Sequence, residues 1–138
     1  MNIAEWKPEY AIGIERIDSQ HQKLVRLLRT LQNAVEADEP ESVLGNAIKE
    51  LVDYTNTHFA DEEKLMELIG YKNIDNHRTL HQDMVAQIRQ ILIDMKKGET
   101  LDPTRLISYL EDWLVDHIQK EDKKIGLELK SSLEKVTS

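Results

Sequence analysis

The sequence contains no cysteine, and this absence excludes several classes of chemistry at once. Disulfide frameworks, zinc–thiolate sites, iron–sulfur clusters and catalytic thiols all require that side chain. The first twenty residues also lack the apolar stretch of a secretion signal, and no run approaches the ~20 apolar residues that cross a membrane. We therefore expect a cytoplasmic protein that has no membrane partner.

Positive charge is scarce in this chain. It has 18 lysine and arginine residues against 26 aspartate and glutamate residues, for a formal net charge of -8. A surface of this sign repels phosphate backbones, so we expect no nucleic-acid partner. The length of 138 residues suits one domain with its own core, and residues 1–138 are expected to form that single domain.

Glycine and proline are few, and the chain reads as long helices separated by these residues. Apolar residues recur every three or four positions, and nothing has the alternation of a strand. The helices are expected at about residues 19–37, 41–69, 74–97 and 103–120. Asp18 is the expected N-cap of the first helix, after a non-helical N-terminal arm, and a short C-terminal extension follows the fourth. Short connections predict an all-α, antiparallel up-down-up-down four-helix bundle.

Polar residues occupy positions on these helices where the pattern calls for leucine or isoleucine. Burying them without partners would cost on the order of 1–3 kcal/mol for each unsatisfied group. A shared cation removes this conflict, because coordination replaces the lost water. The six residues are His21, His58, Glu62, His77, His81 and His117.

One such histidine is more often an ordinary core residue, and one His-x-x-x-His pair is also typical of a zinc site. Here all five histidines lie on the apolar stripes of all four helices, and the pairs His58/Glu62 and His77/His81 each point from one helix face. This conjunction predicts a metal centre. Its ligands exceed the four of a tetrahedral zinc, which favours two ions. Imidazole and carboxylate suit iron or manganese, and zinc or copper less well.

Four runs of sequence carry a family resemblance. They are GIERIDSQH at 13–21, HFADEE at 58–63, HRTLH at 77–81 and WLVDHI at 113–118, followed by Asp122. Together they resemble the bacterial hemerythrins over about residues 6–125. Met84 departs from the family, because an aromatic residue is common at that position.

The resemblance implies a non-haem di-iron centre, Fe2+ or Fe3+, with an oxo or hydroxo bridge. His77, His81 and His117 would ligate one iron, and His21 and His58 the other, which keeps an open position. Glu62 and Asp122 would bridge the two ions. The implied function is reversible dioxygen binding for storage, delivery or sensing, by a monomer that is not an enzyme and whose protein acceptor, if any, is unidentified.

The assignment of Asp122 conflicts with regular helix geometry. The residue four positions after His117 is Glu121, whereas Asp122 is rotated about 140° away from His117. If Asp122 is the bridge, the helix must end, bulge or distort between the two residues. Periodicity alone therefore favours Glu121, and the resemblance favours Asp122.

Reversible binding also needs a dry cavity beside the metal. Six apolar residues lie within about one turn of a predicted ligand and are candidates to line an oxygen pocket: Leu24, Phe59, Met66, Trp113, Leu114 and Ile118. Two other functions stay open at this point. The centre could belong to an enzyme, such as a peroxidase, an oxidase or a nitric-oxide reductase, or it could store iron.

Overall fold

Helices make up most of the computed structural model of the chain, which describes residues 6–98 and 103–137. The long helices are α1 (Glu15–Glu36), α2 (Glu41–Ile69), α3 (Ile74–Lys97), α4 (Thr104–His117) and α5 (Lys123–Thr137). A π-helical turn, Ile118–Asp122, joins α4 to α5, and a short 3-10 turn, Pro8–Tyr10, lies in the N-terminal arm. Within the described ranges there is no strand.

The first four helices form the predicted antiparallel up-down-up-down bundle. Helix α1 packs against α2 and α4, and α3 packs against the same two helices. Their facing stripes of leucine, isoleucine and valine form one continuous core. In the part of the chain that the structure describes, no helix combines the length and apolar character that crossing a membrane requires.

The local sequence explains where α2 ends and where α4 begins. Gly70 follows α2 in the left-handed conformation, with φ of 65°, and the Tyr71 N–H donates to the Met66 carbonyl at 2.9 Å. Glycine adopts this conformation without strain, which makes it a common helix terminator. At the other end of the bundle α4 begins at Thr104, one residue later than predicted, with Pro103 in the N-cap position.

Asp18 does not cap the first helix, contrary to the prediction. Helix α1 begins earlier, at Glu15, so Asp18 lies in its first turn. The Asp18 carboxylate instead accepts hydrogen bonds from the backbone of Ile12 at 2.8 Å and Gly13 at 3.2 Å, which lie before the helix. Its role is to hold the arm against the bundle, and the arm contributes the buried side chains of Tyr10 and Ile12 to the core.

The C-terminal extension predicted after residue 120 is helical in the structure. The chain continues as helix through the π-helical turn and α5. Ile125 of α5 is fully buried and forms a small apolar cluster with Met66 and Tyr71. The next residue, Gly126, approaches the arm so closely that an added Cβ would lie 1.9 Å from the Ile12 carbonyl oxygen. Helix α5 therefore closes one end of the bundle and meets the N-terminal arm.

Candidate metal centre

All seven residues predicted as ligands converge at one place inside the bundle. None of these side chains is more than 5% exposed. Helix α1 supplies one of them, α2 two, α3 two, α4 one and the π-helical turn one. In chain order they are His21, His58, Glu62, His77, His81, His117 and Asp122.

The seven side chains divide into two groups that overlap in their carboxylates. Potential ligand atoms of His77, His81 and His117 lie within 4.8 Å of one another and of both carboxylates, and those of His21 and His58 form a second such group with the same two carboxylates. Glu62 and Asp122 belong to both groups. This arrangement has the form of two adjacent cation sites with two shared ligands.

Glu62 directs one oxygen toward each group. Its Oε1 lies 2.7 Å from Nε2 of His77 and 3.2 Å from Nε2 of His81. Its Oε2 lies 3.0 Å from Nε2 of His58 and 3.7 Å from Nε2 of His21. A carboxylate with its two oxygens divided in this way is positioned to bridge.

The two oxygens of the Asp122 carboxylate are also divided between the two groups. Its Oδ1 lies 2.9 Å from Nε2 of His117 and 3.1 Å from Nε2 of His77. Its Oδ2 lies 2.9 Å from Nε2 of His21. Each carboxylate therefore faces imidazoles of both groups.

The π-helical turn resolves the conflict between Asp122 and Glu121. A π turn has hydrogen bonds from i to i+5, so the residue five positions after His117 comes back to the same face. Asp122 is buried in the centre, whereas the half-buried Glu121 pairs with Lys124 at 3.4 Å on the outside. The distortion that an Asp122 bridge requires is thus present in the backbone.

The pKa values show how strongly the two kinds of side chain depend on each other. Burial lowers the pKa of His21, but pairing with Asp122 and Glu62 outweighs it and raises this pKa to about 9. The pKa of His77 rises to about 9 against the same burial, through the same two carboxylates. Burial alone would raise the pKa of Glu62, yet the surrounding imidazoles hold it well below its usual range. Burial and the charge of Glu62 raise the pKa of Asp122, and His117 and His21 more than reverse that effect. Without a cation, protons on the imidazoles must balance the carboxylates.

Several inward atoms lie close to one another but form no hydrogen bond of normal geometry, which tests whether the residues fit a metal. Among the described residues these include Nε2 of His21, Oε2 of Glu62, Nε2 of His81 and Oδ1 of Asp122. The Nε2 atoms of His77 and His117 are only 3.1 Å apart. Unpaired buried donors and acceptors of this kind are rare in proteins. Imidazole nitrogens and carboxylate oxygens that converge without satisfying one another's hydrogen bonds fit bound cations.

Two outward nitrogens of these imidazoles contact polar residues that the sequence reasoning passed over. Nδ1 of His58 lies 2.7 Å from the Gln20 side-chain oxygen, and Nδ1 of His81 lies 3.2 Å from Glu63. Neither Gln20 nor Glu63 was among the predicted site residues. The sequence did contain a signal for Gln20. It is a polar residue on an apolar stripe of its helix, four positions before Leu24.

A small enclosed cavity of about 20 Å³ lies beside the centre. Four of the six residues predicted for the oxygen pocket line it: Leu24, Phe59, Trp113 and Leu114. Five further residues that were not named as pocket candidates also line it: Leu28, Leu51, Thr55, Met84 and Leu110.

Met66 and Ile118, which were also predicted to line the oxygen pocket, do not line this cavity. Met66 follows Glu62 by one turn, and that turn lies in the next layer of the bundle, where Met66 packs with Tyr71 and Ile125. Ile118 is buried in the main apolar core. Proximity to a ligand along the sequence does not distinguish the cavity side of the centre from the layers around it.

Two aromatic rings hold the histidines on one side of the cavity. Phe59 stacks on His81 with ring centroids 3.8 Å apart and planes 6° apart, and Trp113 stacks on His117 at 4.1 Å and 13°. The rings also cover these imidazoles with apolar surface. The cavity touches both histidines of the smaller group, His21 and His58, but only His117 of the larger one.

Comparison with known proteins gives consistent results. Residues 12–127 match the family model described as the hemerythrin HHE cation binding domain. The chain is 32% identical over 133 residues to bacteriohemerythrin of Stenotrophomonas maltophilia, covering 96% of this chain and 86% of that protein. It is 29% identical to myohemerythrin-1 of Phascolopsis gouldii, covering 86% and 88% of the two chains. A crystal structure of wild-type hemerythrin superposes with a TM-score of 0.81 at 28% identity, covering 91% of this chain and 96% of that one.

Proposed function

Because the chain belongs to the hemerythrin family, we propose that it binds dioxygen reversibly at a centre of two iron ions. His77, His81 and His117 would hold one ion, and His21 and His58 the other. Glu62 and Asp122 would bridge them. The observation that carries this proposal is the pair of side-chain groups that share both carboxylates. Storage, delivery and sensing of dioxygen all use this binding event.

When bound, the two iron ions supply the electrons that reversible dioxygen binding requires. The protein supplies a fixed set of ligands that resists rearrangement. All five imidazoles direct Nε2 inward, and each helix of the bundle carries at least one of them. The two carboxylates balance part of the charge of the ions, which a buried site could not otherwise accommodate.

The unequal division of the histidines supports an open position on one ion. One group has three imidazoles, and the other has only His21 and His58. The cavity touches both members of the smaller group. Its volume of about 20 Å³ is enough for one molecule about the size of water. A small ligand that enters the cavity therefore lies next to the ion with fewer protein ligands.

The lining of the cavity favours binding over chemical turnover. Apart from the proposed ligands, the lining residues are aliphatic, aromatic or methionine, with the exception of Thr55. The Thr55 hydroxyl donates to the Leu51 carbonyl at 2.8 Å, so its proton is already engaged. An apolar surrounding of this kind excludes water and offers the bound ligand no general acid.

The proposal is tested by loading the protein with iron(II) without air and then exposing it to dioxygen. We expect two irons per chain and a ligand-to-iron charge-transfer absorption that appears with dioxygen and disappears under vacuum. Asp122→Asn should lose this absorption and at least one iron, whereas the matched control Glu121→Gln should keep both. One iron per chain, an absorption that vacuum does not reverse, or loss of iron in Glu121→Gln alone would contradict the assignment.

A further inference from the structure

We infer that Gln20 is a positioning residue, which holds the imidazole of His58 in the orientation and tautomer that present Nε2 to the metal centre. The inference rests on the proposed function, since it takes His58 as a ligand. Gln20 does not itself contact the centre. It acts through His58, and a chain of hydrogen bonds that reaches the protein surface fixes the orientation of its own amide.

Three contacts make up this chain. The Gln20 Oε1 atom lies 2.7 Å from Nδ1 of His58, and the Gln20 Nε2 atom donates to Asp61 at 2.7 Å. Arg16 donates to the same Asp61 oxygen at 2.9 Å. Gln20 is 9% exposed and Arg16 lies at the surface. These hydrogen bonds therefore cross between α2 and α1 at each step. They run from the buried imidazole of His58 to the ion pair of Asp61 and Arg16 at the surface.

In each of these hydrogen bonds, the donor and the acceptor are fixed by the neighbouring hydrogen bond that lies nearer to the surface. One oxygen of the Asp61 carboxylate receives hydrogen bonds from both Arg16 and Gln20, and a carboxylate can only accept. The amide group facing Asp61 must therefore be the NH2, which turns the carbonyl oxygen of Gln20 toward His58. That oxygen also only accepts, so Nδ1 of His58 must carry the proton. The lone pair needed for coordination is then left on Nε2, the atom that faces Glu62.

The histidine on the other side of the centre is supported differently. Nδ1 of His81 contacts the Glu63 carboxylate directly at 3.2 Å, and Arg78 approaches Glu63 at 3.3 Å. A carboxylate in this position makes a ligating imidazole more basic. On the Nδ1 side of His58, the amide of Gln20 stands between the imidazole and the carboxylate of Asp61. The two histidines thus receive the same orientation but unequal negative charge.

The surface ion pair between Arg16 and Asp61 contributes little to the stability of the fold. Its removal can therefore separate a positioning role of Gln20 from a structural one. The Arg16 side chain is 75% exposed, and exposed ion pairs have small effects on stability. Removing Asp61 should therefore leave the fold intact. It would, however, release the Gln20 amide to turn its NH2 toward His58, which would place the proton on the wrong nitrogen of the imidazole.

The test uses the iron-loaded protein and proton NMR. Paramagnetic ions shift the ring N–H protons of ligating imidazoles away from other signals, and these protons exchange slowly only when they are hydrogen-bonded. The His58 signal should be protected in the wild type, and lost or split in Gln20→Leu and in Asp61→Leu. The affinity for iron(II), measured against a chelator, should fall about 10–100-fold in Gln20→Leu. Gln22→Leu, a half-buried position on the same helix, is the matched control and should change neither readout.

A double exchange distinguishes hydrogen-bond geometry from simple packing. Gln20→Glu with Asp61→Asn reverses the amide and the carboxylate. Adding Arg16→Leu removes the guanidinium, which donates to the same Asp61 oxygen as Gln20 and would otherwise face the new amide NH2. We expect this variant to retain both irons and a protected His58 signal, shifted further because the new bond is charge-assisted. The inference is overturned if Gln20→Leu and Asp61→Leu keep the protected His58 signal and an affinity within twofold of wild type. A wild-type protein that fails to hold two irons would refute the proposed function instead.

Discussion

Replacing Gly126 by alanine should destabilise the protein, although alanine is the better helix former. An added Cβ at this position would lie 1.9 Å from the carbonyl oxygen of Ile12 and 3.0 Å from its carbonyl carbon. Both atoms belong to the backbone, so no side-chain rotation relieves the clash. A carbon–oxygen contact needs about 3.3 Å, which means that the N-terminal arm must move by about 1.4 Å.

Such a movement breaks the attachment of the arm to Asp18. The hydrogen bonds from Ile12 at 2.8 Å and Gly13 at 3.2 Å both end on that carboxylate. Hydrogen bonds to charged groups contribute about 1.5–3 kcal/mol each, and alanine returns about 1 kcal/mol through helix propensity. Because the Gly13 bond is exposed to solvent, we expect a net loss of about 2–4 kcal/mol in the free energy of unfolding.

Gly45 provides the matched control for this prediction. It lies inside α2, and an added Cβ there would meet nothing within 4 Å. Gly45→Ala should therefore stabilise the protein by about 0.5–1 kcal/mol. Urea unfolding of both variants in the same metal state measures the difference. If Gly126→Ala is as stable as Gly45→Ala, the close packing of α5 against the arm is refuted.

Three further predictions concern the arm, the cavity and the protons of the centre. Asp18→Ala should cost about 1–3 kcal/mol in urea unfolding, and combining it with Gly126→Ala should cost less than the sum of the two, because both release the arm; additive losses would contradict this. Leu110→Phe should fill the cavity and lower dioxygen affinity at least tenfold without loss of iron, since overpacking costs about 1–3 kcal/mol; unchanged affinity in an optical titration would place the ligand elsewhere. Iron(II) binding near pH 7 should release about two protons per chain, from His21 and His77, whose pKa values are raised to about 9. By the same shifts, the stability that these two histidines contribute to the metal-free protein should be full below about pH 6.5 and be lost as the pH rises through about 9; release of no protons into a weakly buffered indicator solution would contradict both statements.

The four-helix bundle followed from periodicity, and the structure confirms it. The convergence of the histidines followed from the same reasoning, because His58 and His81 replace aliphatic residues on otherwise regular stripes. Gln20 meets that criterion too, but a buried amide conflicts less obviously with a core than a cluster of imidazoles does. Periodicity shows only which residues share one face of a helix. It identifies polar residues on the apolar face but does not indicate their role.

Other features depend on departures from regularity or on contacts between distant segments. Asp122 reaches the centre only through a π-helical turn, which no 3.6-residue pattern predicts, and only the family resemblance indicated it. Met66 shares a helix face with Glu62 but lies in another layer of the bundle, and layers are set by packing partners. The role of Asp18 depends on the path of the arm, which has no periodicity to read.

The most direct test of the account is a crystal structure of the iron-loaded protein with anomalous diffraction measured at the iron absorption edge. Two anomalous peaks are expected, one contacted by His77, His81 and His117 and the other by His21 and His58. Each peak should contact one oxygen of Glu62 and one of Asp122. A single peak, or two peaks that do not share these carboxylates, would contradict the central claim that the bundle holds a carboxylate-bridged pair of ions.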